Sequence, residues 1–245
     1  FSEAFDRSLH LGTCGRLERL TLGAPAALRS LDLTGCGSLR DVTLSCPQLT
    51  AADCSFCLSL GSNFFASLPS GAPSLAYLNL ASCAGLRPEH LSHIRRLTKL
   101  VSLDVSYTYV AEEHLAAAFA PHRPGEEREG GEGGEEAVGL VHRGFGSSGD
   151  GGGGGGGGVH SSEDETVMPG LRTLHMAVCK AATDAVLRDI LTDSHRVLPN
   201  LEDLDLSHAR LSRETLKDVV ATRRGVLRDL TLTGCLGVSG NLTGV

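Results

Sequence analysis

The stretch Leu28 to Cys36, LRSLDLTGC, constrains this chain more than any other. With Leu28 as position zero, apolar residues fall at +3 and +5 and a cysteine at +8. Alternating apolar residues on so short a segment read as one strand with one buried face. So short a run cannot bury that face alone, so the pattern specifies a fold only if neighbouring segments repeat it and stack. They do repeat it: LERLTL opens at Leu17, LTAADCSFC at Leu49, LAYLNLASC at Leu75, LVSLDVSYT at Leu100, LRTLHMAVC at Leu171, LEDLDLSHA at Leu201 and LRDLTLTGC at Leu227.

Eight matches to one template are the leucine-rich repeat signature, in a form with Cys where other forms carry Asn. The expected fold is an α/β leucine-rich-repeat solenoid with a curved parallel sheet. Aromatics at 4% and no Trp suit a ladder of leucines better than one bulky core. From Leu17 to about Cys57 the turns are short, as the step from Leu28 to Leu49 shows, with the intermediate run LRDVTLSCP at Leu39. That length leaves room for a strand on both sides and none for a helix. After Leu58 the spacing lengthens, as from Leu75 to Leu100 and from Leu201 to Leu227, and admits an outer helix. Candidate helices are Ser62 to Leu68, Pro88 to Leu97, Ala111 to Phe119, Asp184 to Thr192 and Arg213 to Thr222. Pro88 suits a first helical turn, and Thr183 and Ser212 suit N-caps. Leu91, Ile94 and Leu97 recur at helical spacing and should face the strands. Upstream, Phe5, Leu9 and Leu11 read as the tail of a helix.

The register breaks once. The starts at Leu100 and Leu171 are much further apart than any other neighbouring pair. Between them lie the run GEEREGGEGGEE and eight consecutive glycines, Gly151 to Gly158. Glycine this dense cannot offset its ordering entropy, so residues 121–169 are expected to be a disordered insert. It divides the solenoid into residues 1–120 and 170–245. No Lys-Ser/Thr or spaced G-x-G-x-x-G context makes its glycines a phosphate loop. The insert also carries the net charge of −7: it holds ten acidic and three basic residues, and the remainder has equal numbers of each. A balanced solenoid argues against a nucleic-acid partner, which needs clustered Lys and Arg. No apolar run approaches the length a membrane helix needs, so no membrane span is expected. A first residue other than Met, and a last repeat followed by no cap, suggest a piece of a longer protein.

Five of the eight cysteines, Cys36, Cys57, Cys83, Cys179 and Cys235, share position +8, and Cys54 takes an apolar +5 position. They read as small buried core residues rather than disulfides or zinc ligands, since C-x-x-C at Cys54 and Cys57 has no second pair. Reduced buried thiols suit the cytoplasm or nucleus. No nucleophile elbow, H-E-x-x-H or Walker loop occurs, so no catalytic residue, cofactor or metal is expected. The densest histidine group, His90 and His93 with His114, reads as a solvated helix face. It offers a metal-dependent enzyme only a weak footing.

Strand alternation leaves +2, +4 and +6 exposed on the concave side. The +4 column reads Thr21, Asp32, Asp53, Asn79, Asp104, His175, Asp205 and Thr231. The +2 column reads Arg19, Ser30, Ala51, Tyr77, Ser102, Thr173, Asp203 and Asp229, and +6 is small throughout. This polar, mildly acidic track could dock a basic or amide-rich protein segment. Against that stands a plainer reading, in which Asp at +4 belongs to the repeat and caps local backbone. The irregular +2 column is the better place for specificity, with Tyr77 and Asp203 as anchors. The candidate partner-binding residues are Arg19, Asp32, Asp53, Tyr77, Asn79, Asp104, His175, Asp203, Asp205 and Asp229.

The runs LRSLDLTGC, LAYLNLASC and LRTLHMAVC resemble the cysteine-containing repeats of F-box/LRR proteins. The likeness covers about residues 17–120 and 170–238, and extends to CPQL, ADCSFC, LSHIRRLTKLVSLDVSYTYV and PNLEDLDLSHARLSRETL. It implies the substrate-recognition part of an SCF-type ubiquitin ligase, with a protein substrate held on the concave face. It implies a Skp-type adaptor bound only through an F-box, which this chain does not show, and no catalytic residue. The alternative is a stand-alone scaffold or regulatory interaction protein.

Overall fold

A computed structural model describes residues 7–23, 27–119, 166–180, 182–193 and 195–235. The described residues form one compact unit. The acidic glycine-rich insert expected over 121–169 lies outside the described residues up to 165, whereas Val167 and Met168 are already core, at 2% and 3% exposure.

The unit is α/β and solenoid-like, built on an eight-stranded parallel sheet. In chain order its strands are β1 (Ser8–His10), β3 (Ser30–Asp32), β5 (Ala51–Asp53), β6 (Tyr77–Asn79), β7 (Ser102–Asp104), β8 (Thr173–His175), β9 (Asp203–Asp205) and β10 (Asp229–Thr231). Every strand is the +2 to +4 segment of its run, and neighbours pair with no offset: Leu31 opposes Ala52, Leu78 opposes Leu103, Leu174 opposes Leu204. Register is held by the apolar face, because a one-residue slip would turn every +3 side chain to solvent. Leu31, Leu78, Leu103 and Leu204 are all at 2% exposure or less.

Two strand assignments depart from expectation. Leu9 and Leu11 belong with strand β1, paired to β3, not to the tail of a helix. Their segment, DRSLHLGTC, keeps the +3, +5 and +8 residues but begins on Asp6 instead of Leu, which hides it. The run at Leu17 is not a rung of the main sheet. It forms β2 (Arg19–Gly23), which pairs in parallel with β4 (Asp41–Ser45) in a separate two-stranded sheet. Arg19 therefore faces Asp41 across that sheet and is not part of the surface that holds Asp32.

The two-sided strand arrangement expected of the short turns is thus present, and the longer turns carry helices: α1 (Ser62–Gly71), α2 (Pro88–Ile94), α3 (Glu112–Phe119), α4 (Asp184–Leu191) and α5 (Arg213–Thr222). They form a second layer in which β4 touches α1, and each helix touches the next. Pro88 opens α2, and Ser212 Oγ accepts the Thr215 N–H at the start of α5. Thr183 sits at the N-cap of α4 but makes no capping bond, its hydroxyl donating to Glu112 instead. Gly71 ends α1 against β4, where a Cβ would collide with the Leu44 carbonyl oxygen, so only glycine allows this approach. Leu91, Ile94 and Leu97 are buried as expected, but so is His90. Its ring stacks on Phe65 at 4.2 Å, Nδ1 accepts the Arg87 N–H, and Nε2 is 2.9 Å from Ser62 Oγ. It is a packing residue between α1 and α2, not part of a solvated face.

The turn after each strand is equally uniform. Position +7 is left-handed in all eight main-sheet turns, at Thr13, Gly35, Phe56, Ser82, Tyr107, Val178, His208 and Gly234, with φ from 57° to 73°. One residue later the +8 thiols link successive turns. Cys36, Cys57, Cys83 and Cys235 donate Sγ–H to the carbonyls of Leu11, Leu33, Cys54 and Leu206, at 3.0–3.1 Å. Each acceptor is the +5 residue of the turn before. Burial pushes the Cys57 thiol up to about 11 and Cys83 to about 12, and Cys54 also lies well above its ordinary value.

Near the C-terminal end the core closes on a cation. Arg223 follows α5 at 1% exposure. Its guanidinium donates to the carbonyls of Leu191 and Val197 at 2.8 Å, and to those of Leu198 and Ile190. Ile190 and Leu191 end α4, so the charge meets the negative end of the helix dipole. Burial still pulls the guanidinium down to about 10.

A thiol reagent at pH 8 should label Cys14 quickly and Cys235 slowly, while Cys36, Cys46, Cys54, Cys57, Cys83 and Cys179 react only on unfolding, as timed absorbance readings would show. Arg223→Met should take the side-chain donor from four buried carbonyls, of which Leu198 keeps the Leu201 N–H, and cost roughly 3 kcal/mol in urea unfolding, with Arg223→Lys recovering only part of it.

Candidate partner-binding face

The outer surface of the eight-stranded sheet is set by strand alternation. The middle residue of each three-residue strand is turned inward, and its neighbours at +2 and +4 meet solvent. Parallel register places Asp32, Asp53, Asn79, Asp104, His175 and Asp205 side by side, one per strand. Ser30, Ala51, Tyr77, Ser102, Thr173, Asp203 and Asp229 form the adjacent column. Nine of the ten sequence-derived candidates lie on this surface, and Arg19 does not. Neighbours are about 4.8 Å apart. A depression of about 310 Å³ runs over β3 to β8, with Asp32, Asp53, Tyr77, Asn79, Asp104 and His175 among its walls. Tyr77 is 54% exposed and is the large aromatic of this column.

The +4 side chains have structural work. Oδ1 of Asp32, Asp53, Asn79, Asp104 and Asp205 each accepts the backbone N–H two residues on, at 2.8–3.0 Å. These bonds close the turn that leads to the left-handed +7 residue, which is what an Asx side chain does at such a position. For Asp32 the Thr34 backbone N–H is the leading cause that holds its carboxyl below the ordinary 3.8. Its folded-state pKa lies below the unfolded one, so the stability it adds is present above 3.8 and lost as pH falls through the lower value.

The second oxygens are also engaged across strands. Asn79 Nδ2 donates to Asp53 Oδ2 at 3.1 Å, and His10 Nδ1 is 3.4 Å from Asp32 Oδ2. His175 is the exception in the column. It does not cap its own turn, and Ser106 Oγ from the preceding strand's turn accepts the Ala177 N–H at 3.1 Å instead. The freed imidazole lies between two carboxylates, Asp104 Oδ2 at 3.8 Å and Asp203 Oδ2 at 3.5 Å. Ser106 escapes the sequence reading, although a Ser two residues after Asp104 and a non-Asx residue in the next turn are its signal.

Among the described residues no group of three or more His, Cys, Asp or Glu side chains is placed to hold a metal ion. Cys57 spends its thiol on Leu33, and His90 is enclosed between helices. No helix among the described residues is long and apolar enough to cross a membrane. No protein-family model matches the chain, and no curated protein matches it.

Asp53 tests how the +4 column divides its roles. Asp53→Ala removes bonds to the Ser55 N–H and hydroxyl and should cost about 1–2 kcal/mol in urea unfolding. Asp53→Asn keeps the turn closure, as Asn79 does, but loses the bond from Asn79 Nδ2 to Oδ2 and should cost less than Asp53→Ala, about 0.5–1 kcal/mol.

Proposed function

We propose that this chain is a run of cysteine-containing leucine-rich repeats whose exposed sheet face recognises a protein segment. Its preferred role is the substrate-recognition part of an SCF-type ubiquitin ligase in the cytoplasm or nucleus. The observation that carries the recognition role is the pair of largely polar columns, presented in common register over a depression of about 310 Å³. The surface has one rigid aromatic, Tyr77, and carboxylates whose orientation is held by turn closure and by His175. Rigid aromatics and pre-oriented polar groups lose little entropy on binding, which favours recognition. The carboxylates favour a basic or amide-rich segment. The ligase role rests on the likeness of residues 17–120 and 170–238 to F-box/LRR repeats, and the Skp-type adaptor would be held by an F-box rather than by these turns. No residue is assigned a catalytic part.

Affinity capture from cells with the parent chain, Tyr77→Ala and Asp203→Ala tests the face. The same partners should fall at least about tenfold in both variants, the loss expected of a central contact. Partner sets unchanged in both remove the face from consideration. Co-purification of a Skp-type adaptor with the full-length gene product separates the ligase receptor from a stand-alone scaffold.

A further inference from the structure

A different edge of the unit carries side chains that neither the core nor the sheet face uses. It lies beyond the strands' C-terminal ends, where each chain segment passes through its left-handed +7 residue. Such a conformation favours glycine, and a side chain there costs roughly 1–2 kcal/mol. Gly35 and Gly234 meet that preference in two of the turns. Between them stand Phe56, Ser82, Tyr107, Val178 and His208. Burial does not compensate the bulky ones: Phe56 is 56% exposed, Tyr107 59% and Val178 39%. Two residues on, the +9 column reads Leu58, Ala84, Tyr109, Lys180 and Arg210, and Leu58 and Tyr109 are also exposed. Six of the seven exposed large hydrophobics among the described residues are Phe56, Leu58, Tyr77, Tyr107, Tyr109 and Val178, and five of these six lie on this edge.

The turns are adjacent rungs. The Phe56 N–H bonds the Ala81 carbonyl, Ser82 bonds Ser106, Tyr107 bonds Ala177 and Val178 bonds Ser207, at 2.8–2.9 Å. The edge therefore changes character in order along the stack. It begins apolar at Phe56 and Leu58, becomes aromatic at Tyr107 and Tyr109, and ends basic at Lys180, His208 and Arg210. At the basic end is a depression of about 450 Å³ lined by Val178, Cys179, Lys180, Thr183, His208 and Arg210, with no carboxylate among them. Two carboxylates of the neighbouring helices bond elsewhere: Glu112 accepts the Thr183 hydroxyl, and Asp184 accepts the Ser212 N–H. Lys180 Nζ lies 5.6 Å from the centre of the Tyr109 ring, which joins the aromatic and basic sections. Neither Lys180 nor Arg210 has a carboxylate ion-pair partner among the described residues.

We propose that this edge is a second protein-docking site, which takes an extended partner segment with an aliphatic or aromatic side chain followed by a cluster of carboxylates. Charge complementarity selects the occupant: the sheet face is acidic, and among the described residues that line this edge's depression there are cations and no anion. The four steps from Phe56 to His208 span about 19 Å, which an extended peptide crosses in about six residues. The inference stands apart from the role of the sheet face, since it uses none of the same side chains.

The test is fluorescence polarisation of a labelled peptide LFSGEDED with the whole chain, alongside LFSGQNQN. The acidic peptide should bind and the amide peptide should bind at least about tenfold more weakly. Lys180→Ala with Arg210→Ala should weaken the acidic peptide at least about tenfold, and Tyr109→Ala severalfold. All three side chains are exposed, so thermal melts should stay at the parent value, and Lys217→Ala on α5 should leave binding unchanged. Equal binding of both peptides, or an affinity unmoved by the double variant, overturns the proposal. So does self-association that Tyr109→Ala abolishes without any peptide binding, which would assign the edge to a second copy. Peptide binding seen only after residues 122–164 are replaced by a short linker would make the chain's own acidic insert the occupant, and also overturns it.

Discussion

The structure depends on one constraint: adjacent turns must stay in common parallel register. Backbone hydrogen bonds run from turn to turn, not only within the three-residue strands but at +5 and +7 beyond them, as from Leu80 to Asp104 and from Ser82 to Ser106. The same register stacks leucine on leucine at +3, as Leu78 on Leu103, and sets the thiols of Cys36, Cys57, Cys83 and Cys235 under the preceding +5 carbonyl. A single turn has almost no core of its own, so each is stable only against its neighbours. The end turns show this, since Leu9, Leu11, Leu230 and Leu232 are only partly buried while their inner counterparts are fully so.

Most of this is legible in the sequence because the signal is periodic. The spacing of Leu, Leu, Leu and Cys locates seven of the eight main-sheet strands, and five helices fall within a few residues of their expected bounds. What escapes has physical reasons. In the short turns both sides are strands built on L-x-x-L-x-L, so the pattern alone cannot tell which sheet a run joins, and it puts the Leu17 run in the wrong one. The first strand lacks its leading Leu and with it half its signal. His90 looks solvated when only its own helix is considered, and what buries it is Phe65 on the helix before. The left-handed +7 positions are invisible except where glycine marks them, because the turn is imposed by the neighbours and not by the local residue.

The aspartates at +4 show how one residue type serves two levels of the structure. One oxygen closes the turn, and the other is left to the surface, where Asn79 and His175 take up part of it. A face built this way holds its carboxylates in fixed orientation. The edge at +7 and +9 differs, since its +7 side chains sit on strained backbone.

The break between β7 and β8 has a wider meaning. Ser102 still pairs with Thr173, and Leu103 with Leu174, although the whole glycine-rich insert separates the partners in sequence. Closing a longer loop adds only about 0.6 kcal/mol per doubling of its length. A chain whose rungs recognise each other this strongly can therefore host foreign sequence between any two of them with little thermodynamic penalty. That makes the architecture a permissive chassis, on which new peptide lengths can be acquired one junction at a time without rebuilding the interior.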